Sequence, residues 1–107
     1  KEYMKNYITP LSFKLHKLEE KGYVNRYVMT EKGMKCSETG VYYQPEEMLI
    51  LAEYRFEEES DAGDSSIVYA VETTDGQKGT VINAYGTYAD QKVDNFMMKV
   101  PVSRKAA

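Results

Sequence analysis

Two apolar, β-branched runs, Ile67 to Thr73 and Lys78 to Ala84, are separated only by Thr74-Asp75-Gly76-Gln77, and this stretch constrains the fold more than any other. An Asp-Gly pair between such runs predicts a β-hairpin, because glycine supplies the positive φ of a tight turn without a steric penalty. If Asp75-Gly76 is a two-residue turn, Val71 faces Thr80, Tyr69 faces Ile82 and Ile67 faces Ala84, and these share the buried side of a sheet.

The flanking sequence supplies the rest of that sheet. From Leu49 to Glu57, Ile50, Ala52, Tyr54 and Phe56 alternate with Glu53, Arg55 and Glu57, the period of a strand with one solvated face. A polar connection, Glu58 to Ser65, leads into the hairpin. Thr9-Pro10 reads as an N-cap with proline at the first helical position, followed by Leu11, Leu15 and Leu18 on one helical face and Gly22 as a stop. Tyr23 to Met29 reads as a strand, Glu31-Lys32-Gly33 as a turn into a shorter strand near Cys36, and Ser37 to Gly40 as a loop. Gln44-Pro45-Glu46-Glu47 reads as a turn or a single helical turn. Gly86 breaks the last strand. Val93, Phe96, Met97 and Val100 then predict a short amphipathic helix within Asp90 to Val100, stopped by Pro101, with a frayed tail from Ser103 to Ala107. The expectation is one α+β domain over residues 1–107: a mainly antiparallel sheet of about five strands, an N-terminal helix packed on one face and a short C-terminal helix.

A chain of 107 residues has room for one core and not for a catalytic domain beside a separate cofactor domain. Ten Tyr against three Phe and no Trp means that many large apolar groups carry a hydroxyl that must reach water or a partner, which suits sheet faces and pocket rims. A net charge of −3, from 17 acidic and 14 basic residues, gives no general attraction to phosphate backbones and disfavours nucleic acid as a partner. The lone Cys36 leaves no intrachain disulfide and no Cys-rich zinc site. No run approaches the ~20 apolar residues of a membrane span, and Lys1 to Thr9 lacks the apolar core of a secretory signal. Met4 is a candidate for the natural start. A cytoplasmic protein is the resulting expectation.

Two clusters are candidates for function. Asn83, Tyr85, Tyr88 and Asp90 gather polar and aromatic groups where a strand ends at a glycine and a helix begins, a place that can present side chains and N–H groups to a ligand. The alternative is that Gly86 supplies a turn while Tyr85 and Tyr88 cover the end of the core. Glu57, Glu58, Glu59, Asp61 and Asp64 form an acidic loop whose oxygens could hold a hard cation, although the spacing is not that of an EF-hand and a solvated surface loop is the ordinary reading. His16 and Cys36 lie apart in sequence from partners that would make a metal site or an activated nucleophile, so no metal or cofactor is assigned.

Leu18 to Arg26 followed by Met29 to Gly33 resembles the recognition-helix end and wing of winged-helix regulators, which would place Lys14, Lys17, Lys21, Arg26 and Lys32 against DNA. A longer resemblance runs from Leu15 to Lys99. Leu15-x-x-Leu18-x-x-x-Gly22-Tyr23, Pro45-Glu46-Glu47, Tyr54-Arg55-Phe56-Glu57, Asp64 to Ala70, Lys78-Gly79 and Asn83 to Asp90 together resemble a family of small bacterial proteins found mainly in Bacteroidetes. Its members often carry the name phosphoribosylpyrophosphate synthetase. That resemblance implies a bacterial source but no established chemistry, because a true synthetase of that kind is a much larger enzyme with two related domains and an ATP site. Relatives tend to have Asp where Asn83 stands.

The expected function is a non-catalytic ligand- or partner-binding, regulatory module working through the Tyr85 to Asp90 end of the sheet. One alternative is a small enzyme acting on a phosphorylated small molecule through Asp64, Asp90 or Glu57; the other is the winged-helix-like DNA-binding protein. Oligomeric state is open, since an exposed edge strand could pair with a second copy.

Overall fold

The computed structural model describes residues 10–57 and 65–103. It is an α+β fold with a six-stranded mixed sheet between two helices. Helix α1 spans Pro10–Glu20, and the strands are β1 Asn25–Thr30, β2 Gly33–Cys36, β3 Tyr42–Tyr43, β4 Met48–Phe56, β5 Ser66–Thr73 and β6 Lys78–Ala84. Helix α2, Gln91–Met98, follows a 3₁₀ turn at Gly86–Tyr88. The strand order is β3-β2-β1-β6-β5-β4, antiparallel throughout except for the central β1–β6 pair. The sheet therefore has six strands and not about five, and it is mixed. The addition is Tyr42–Tyr43, too short to show a period of two, and the parallel pair joins segments with no local signal linking them.

β3 and β4 are the two ends of the strand order, yet only Gln44–Glu47 separates them along the chain, with a 3₁₀ turn at Pro45–Glu47. A flat sheet cannot satisfy both facts, so it curls until its ends approach. Tyr43 on β3 donates its hydroxyl to Asp75 in the β5–β6 turn (2.9 Å to Oδ2), and the Thr74 N–H donates to the Glu47 carbonyl (2.9 Å). The concave side holds the main core: Tyr27, Met34, Tyr43, Ile50, Val71 and Val81 pack with Val93, Phe96 and Met97 of α2. Leu18, Val68 and Ala70 form a second cluster on the convex side, joined by Leu11, Leu15, Tyr54, Phe56 and Ile82 under α1.

Two local features move side chains from the faces that alternation assigned them. The β5–β6 connection is not a two-residue turn. Gly76 N–H donates to the Thr73 carbonyl and Thr73 N–H to the Gln77 carbonyl, both at 2.9 Å, so Thr74, Asp75 and Gly76 form a three-residue loop with Gly76 at φ +87°. The register slips by one: Val71 pairs with Gly79, Tyr69 with Val81 and Ile67 with Asn83. Ile82 and Thr80 then lie on the α1 side with Val68 and Ala70. In β4 the register shifts between Ile50 and Ala52, a bulge at Leu51. Ile50 consequently faces the α2 core while Ala52, Tyr54 and Phe56 face α1, so the even positions do not share one face.

The chain after Pro101 is partly ordered by β4. Ile50 N–H donates to the Pro101 carbonyl and Ser103 N–H to the Ile50 carbonyl, each at 2.8 Å, which pairs Val102 with the outer edge of β4. Ser103 is thus held, contrary to the expected fraying; residues 104–107 lie outside the described residues. The Thr9 cap also lies outside them, and α1 begins at Pro10.

Candidate functional site

The parallel pairing of β1 with β6 covers only Asn25–Tyr27 against Gly79–Val81. Close approach at this point depends on Gly79: a Cβ there would lie 2.1 Å from the Asn25 carbonyl oxygen. Asn25 further ties the strands by donating from Nδ2 to the Lys78 carbonyl at 2.9 Å. Beyond Tyr27 and Val81 the ladder stops although both strands continue. A cleft of about 920 Å³ opens there, lined on the concave side by Met29, Asn83, Asp90 and Val93 and on the convex side by Leu11, Arg26, Val28, Phe56 and Ile82, with Ser65, Ser66 and Ala84 also along it. It lies between the carboxyl-terminal halves of these two parallel strands, past their last paired residues.

The hydrogen-bond alternation identifies what the strands present to this cleft. Ser37 N–H donates to the Arg26 carbonyl and Tyr85 N–H to the Ser65 carbonyl. Even-numbered residues of β1 therefore direct their backbone groups to β2, and odd-numbered residues of β6 direct theirs to β5. Met29 on β1, and the Ile82 carbonyl and Ala84 on β6, direct backbone groups into the cleft, past the end of the β1–β6 register. All three residues are half-buried and line the cleft.

Of the four residues predicted at this end of the sheet, Asn83 and Asp90 meet and line the cleft; Tyr85 and Tyr88 do not. Asn83 is buried and spends its side chain on α2. Its Nδ2 donates to Asp94 Oδ1 (3.0 Å) and to the Asp90 carbonyl (3.2 Å), and its Oδ1 accepts from Asp90 N–H (3.0 Å). Asp90 is the N-cap, with Oδ1 accepting from Lys92 N–H at 2.9 Å. These two are a bracket that fixes the start of α2 beside the cleft. Tyr85 lies under the Arg55 guanidinium, 5.1 Å from ring centre, and Tyr88 projects into solvent.

Of the acidic loop, Glu57 is exposed at the end of β4, while Glu58, Glu59, Asp61 and Asp64 lie outside the described residues. No group of three or more His, Cys, Asp or Glu that could hold a metal ion occurs among the described residues. Asp90 is the one carboxylate lining the cleft among them, so a pair of carboxylates for acid–base work is not brought together there. Cys36 is fully buried in the α2 core. His16 is exposed on α1 with Nε2 3.3 Å from Glu20. No helix among the described residues is long and apolar enough to cross a membrane.

The basic residues of the winged-helix resemblance lie on α1, in the turn after it (Lys21) and on the β1–β2 hairpin, but that hairpin is part of a six-stranded sheet and acids lie among them. Lys17 Nζ lies 3.9 Å from Glu20, and Glu38 accepts from the Arg26 backbone at 2.9 Å. Lys14 and Lys17 rest on the rings of Tyr54 and Phe13, at 4.2 and 5.4 Å.

A polar network closes the opposite end of the sheet. Thr73 and Tyr43 hydroxyls donate to Asp75 and hold its carboxyl below the usual carboxylate range. Burial pushes the Tyr27 and Tyr43 hydroxyls up, and Tyr27 donates to the Gln77 carbonyl at 3.1 Å.

Comparison of the chain with protein-family models, with curated proteins and with solved structures finds no match.

Proposed function

We propose that this chain is a bacterial, cytoplasmic member of the small family it resembles, and that it is a non-catalytic module that binds a ligand or partner in the cleft between β1 and β6. The observation that carries the reading is the cleft itself, about 920 Å³ in size, apolar on both sides of the sheet and edged by Arg26, Asn83 and Asp90. Sites of this kind combine apolar walls with a few placed polar groups. The absence of a second carboxylate beside Asp90 among the described lining residues favours binding over acid–base chemistry.

A thermal-shift screen against nucleotides, sugar phosphates, metal ions and peptide pools tests this, because anything that binds only the folded state raises the midpoint. Val28, half exposed and on the cleft wall, can be changed to glutamate without opening the core; Tyr88→Ala is a control outside the cleft. A ligand that stabilises the parent and Tyr88→Ala but not Val28→Glu supports the reading. Ligands that act equally on all three would place binding elsewhere.

A further inference from the structure

We infer that the occupant of the cleft is an extended peptide strand of a partner protein, added to the β6 edge; this deepens the binding reading above and rests on it. A row of backbone groups at strand spacing is matched by another strand, whereas a compact small molecule satisfies only one or two of them. Past the Tyr27–Val81 pair, the Ile82 carbonyl and the N–H and carbonyl of Ala84 continue the edge of β6, with Met29 of β1 lining the same cleft. None of these groups has a ladder partner on the cleft side among the described residues.

The walls specify the peptide. Successive side chains of an added strand point to opposite faces of the sheet. One set meets Met29 and Val93 under α2, and the other meets Leu11, Val28 and Phe56 beside α1, so apolar residues are needed on both faces of the peptide. Arg26 is exposed on the convex wall and Asp90 on the concave wall. Charge complementarity then calls for an acidic side chain on the face toward Arg26 and a basic one on the face toward Asp90. A continuous strand-forming segment of mixed charge fits both walls, and a phosphorylated metabolite does not meet the Asp90 side.

The test uses the full chain and the tightest-binding peptide selected from a phage library of random nonapeptides, counter-selected against Val28→Glu. Two readouts follow: hydrogen exchange of the protein amides and an N-methyl scan of the peptide. The expected result is that the Ala84 and Met29 amides become protected about tenfold or more when the peptide is bound, and that N-methylation at central positions weakens binding by about tenfold while terminal N-methylation does not, each effect being the loss of about one backbone hydrogen bond. A peptide that needs Val28 but leaves Ala84 exchange unchanged and tolerates central N-methylation overturns strand addition while leaving the cleft as a binding site. Selection that yields no peptide discriminating the parent from Val28→Glu overturns the peptide assignment, and a small molecule that does discriminate them would then keep the broader reading. Concentration-dependent protection of Ala84 without peptide assigns the cleft to a second copy of this chain and overturns it as well.

Discussion

Removing Asn83 tests whether the start of α2, and with it one wall of the cleft, is fixed by a single side chain. Asn83→Ala deletes three hydrogen bonds: Nδ2 to Asp94 Oδ1 at 3.0 Å, Nδ2 to the Asp90 carbonyl at 3.2 Å, and Asp90 N–H to Oδ1 at 3.0 Å. Neutral bonds contribute about 0.5–1.5 kcal/mol net and one to a charged group about 1.5–3. Asp90 is exposed and Asp94 half-buried, so water takes up part of the loss, and the expected destabilisation is about 2–3 kcal/mol. Urea unfolding followed by far-ultraviolet circular dichroism reads this as a lower midpoint with an unchanged slope. Asn83→Asp adds a charge signature. The introduced carboxylate would stand about where Nδ2 now meets Asp94, so its folded pKa rises above the usual ~4 of an aspartate. A raised folded pKa means the variant is least penalised below that value and loses further stability as pH rises toward neutrality. A loss under about 0.5 kcal/mol for Asn83→Ala, the scale of an ordinary surface change, or a penalty for Asn83→Asp that shrinks with rising pH, would refute the bracket.

Gly79→Ala is expected to cost about 3 kcal/mol or more, because the new methyl would meet the Asn25 carbonyl oxygen at 2.1 Å and Tyr27 at 2.7 Å, and overpacking against backbone cannot relax by rotamer change; the same urea assay checks it. Deleting Leu51 removes the extra residue of the bulge and leaves Ile50 opposite Val71 and Ala52 opposite Ala70 in a regular ladder, so both faces are kept and a cooperative thermal transition is expected to persist; its loss would contradict the bulge. Asp75 has a depressed folded pKa, which contributes stability above the unfolded value and loses it as pH falls through the folded one; Asp75→Asn should flatten the acid limb of a stability–pH profile. Tyr27 and Tyr43 are raised, so their contribution is intact below about pH 10 and is lost as pH rises further. Tyrosinate absorbance should accordingly show a step that coincides with unfolding, and Tyr43→Phe should reduce it.

Local chemistry made the elements legible and long-range pairing did not. Lys78–Ala84 begins and ends where its apolar run does, α1 begins at Pro10, and Val93, Phe96 and Met97 mark the buried side of α2. The faces of the sheet were another matter. One residue in the β5–β6 loop and one in the Leu51 bulge each invert everything beyond them, and neither changes the apolar pattern that alternation reads. Asn83 and Asp90 were visible as a polar pair at a strand end, but their use as a bracket depends on Asp94 coming round on α2. The cleft was not visible, because Val28 and Met29 meet Ile82 and Ala84 only through the β1–β6 pair, across more than fifty residues of chain. Gly79 was the available sign: a glycine inside a strand pattern marks close approach by another backbone.

The most direct test of the cleft is chemical-shift mapping by nuclear magnetic resonance as the best binder from the thermal-shift screen is titrated into the full chain. The largest amide shifts are expected on Arg26, Val28, Met29, Asn83, Ala84 and Asp90, with Tyr88 and the Thr73–Gln77 turn unmoved. Shifts centred on that turn, on α1 near His16 or on Tyr88, with Met29 and Ala84 silent, would contradict binding in the cleft.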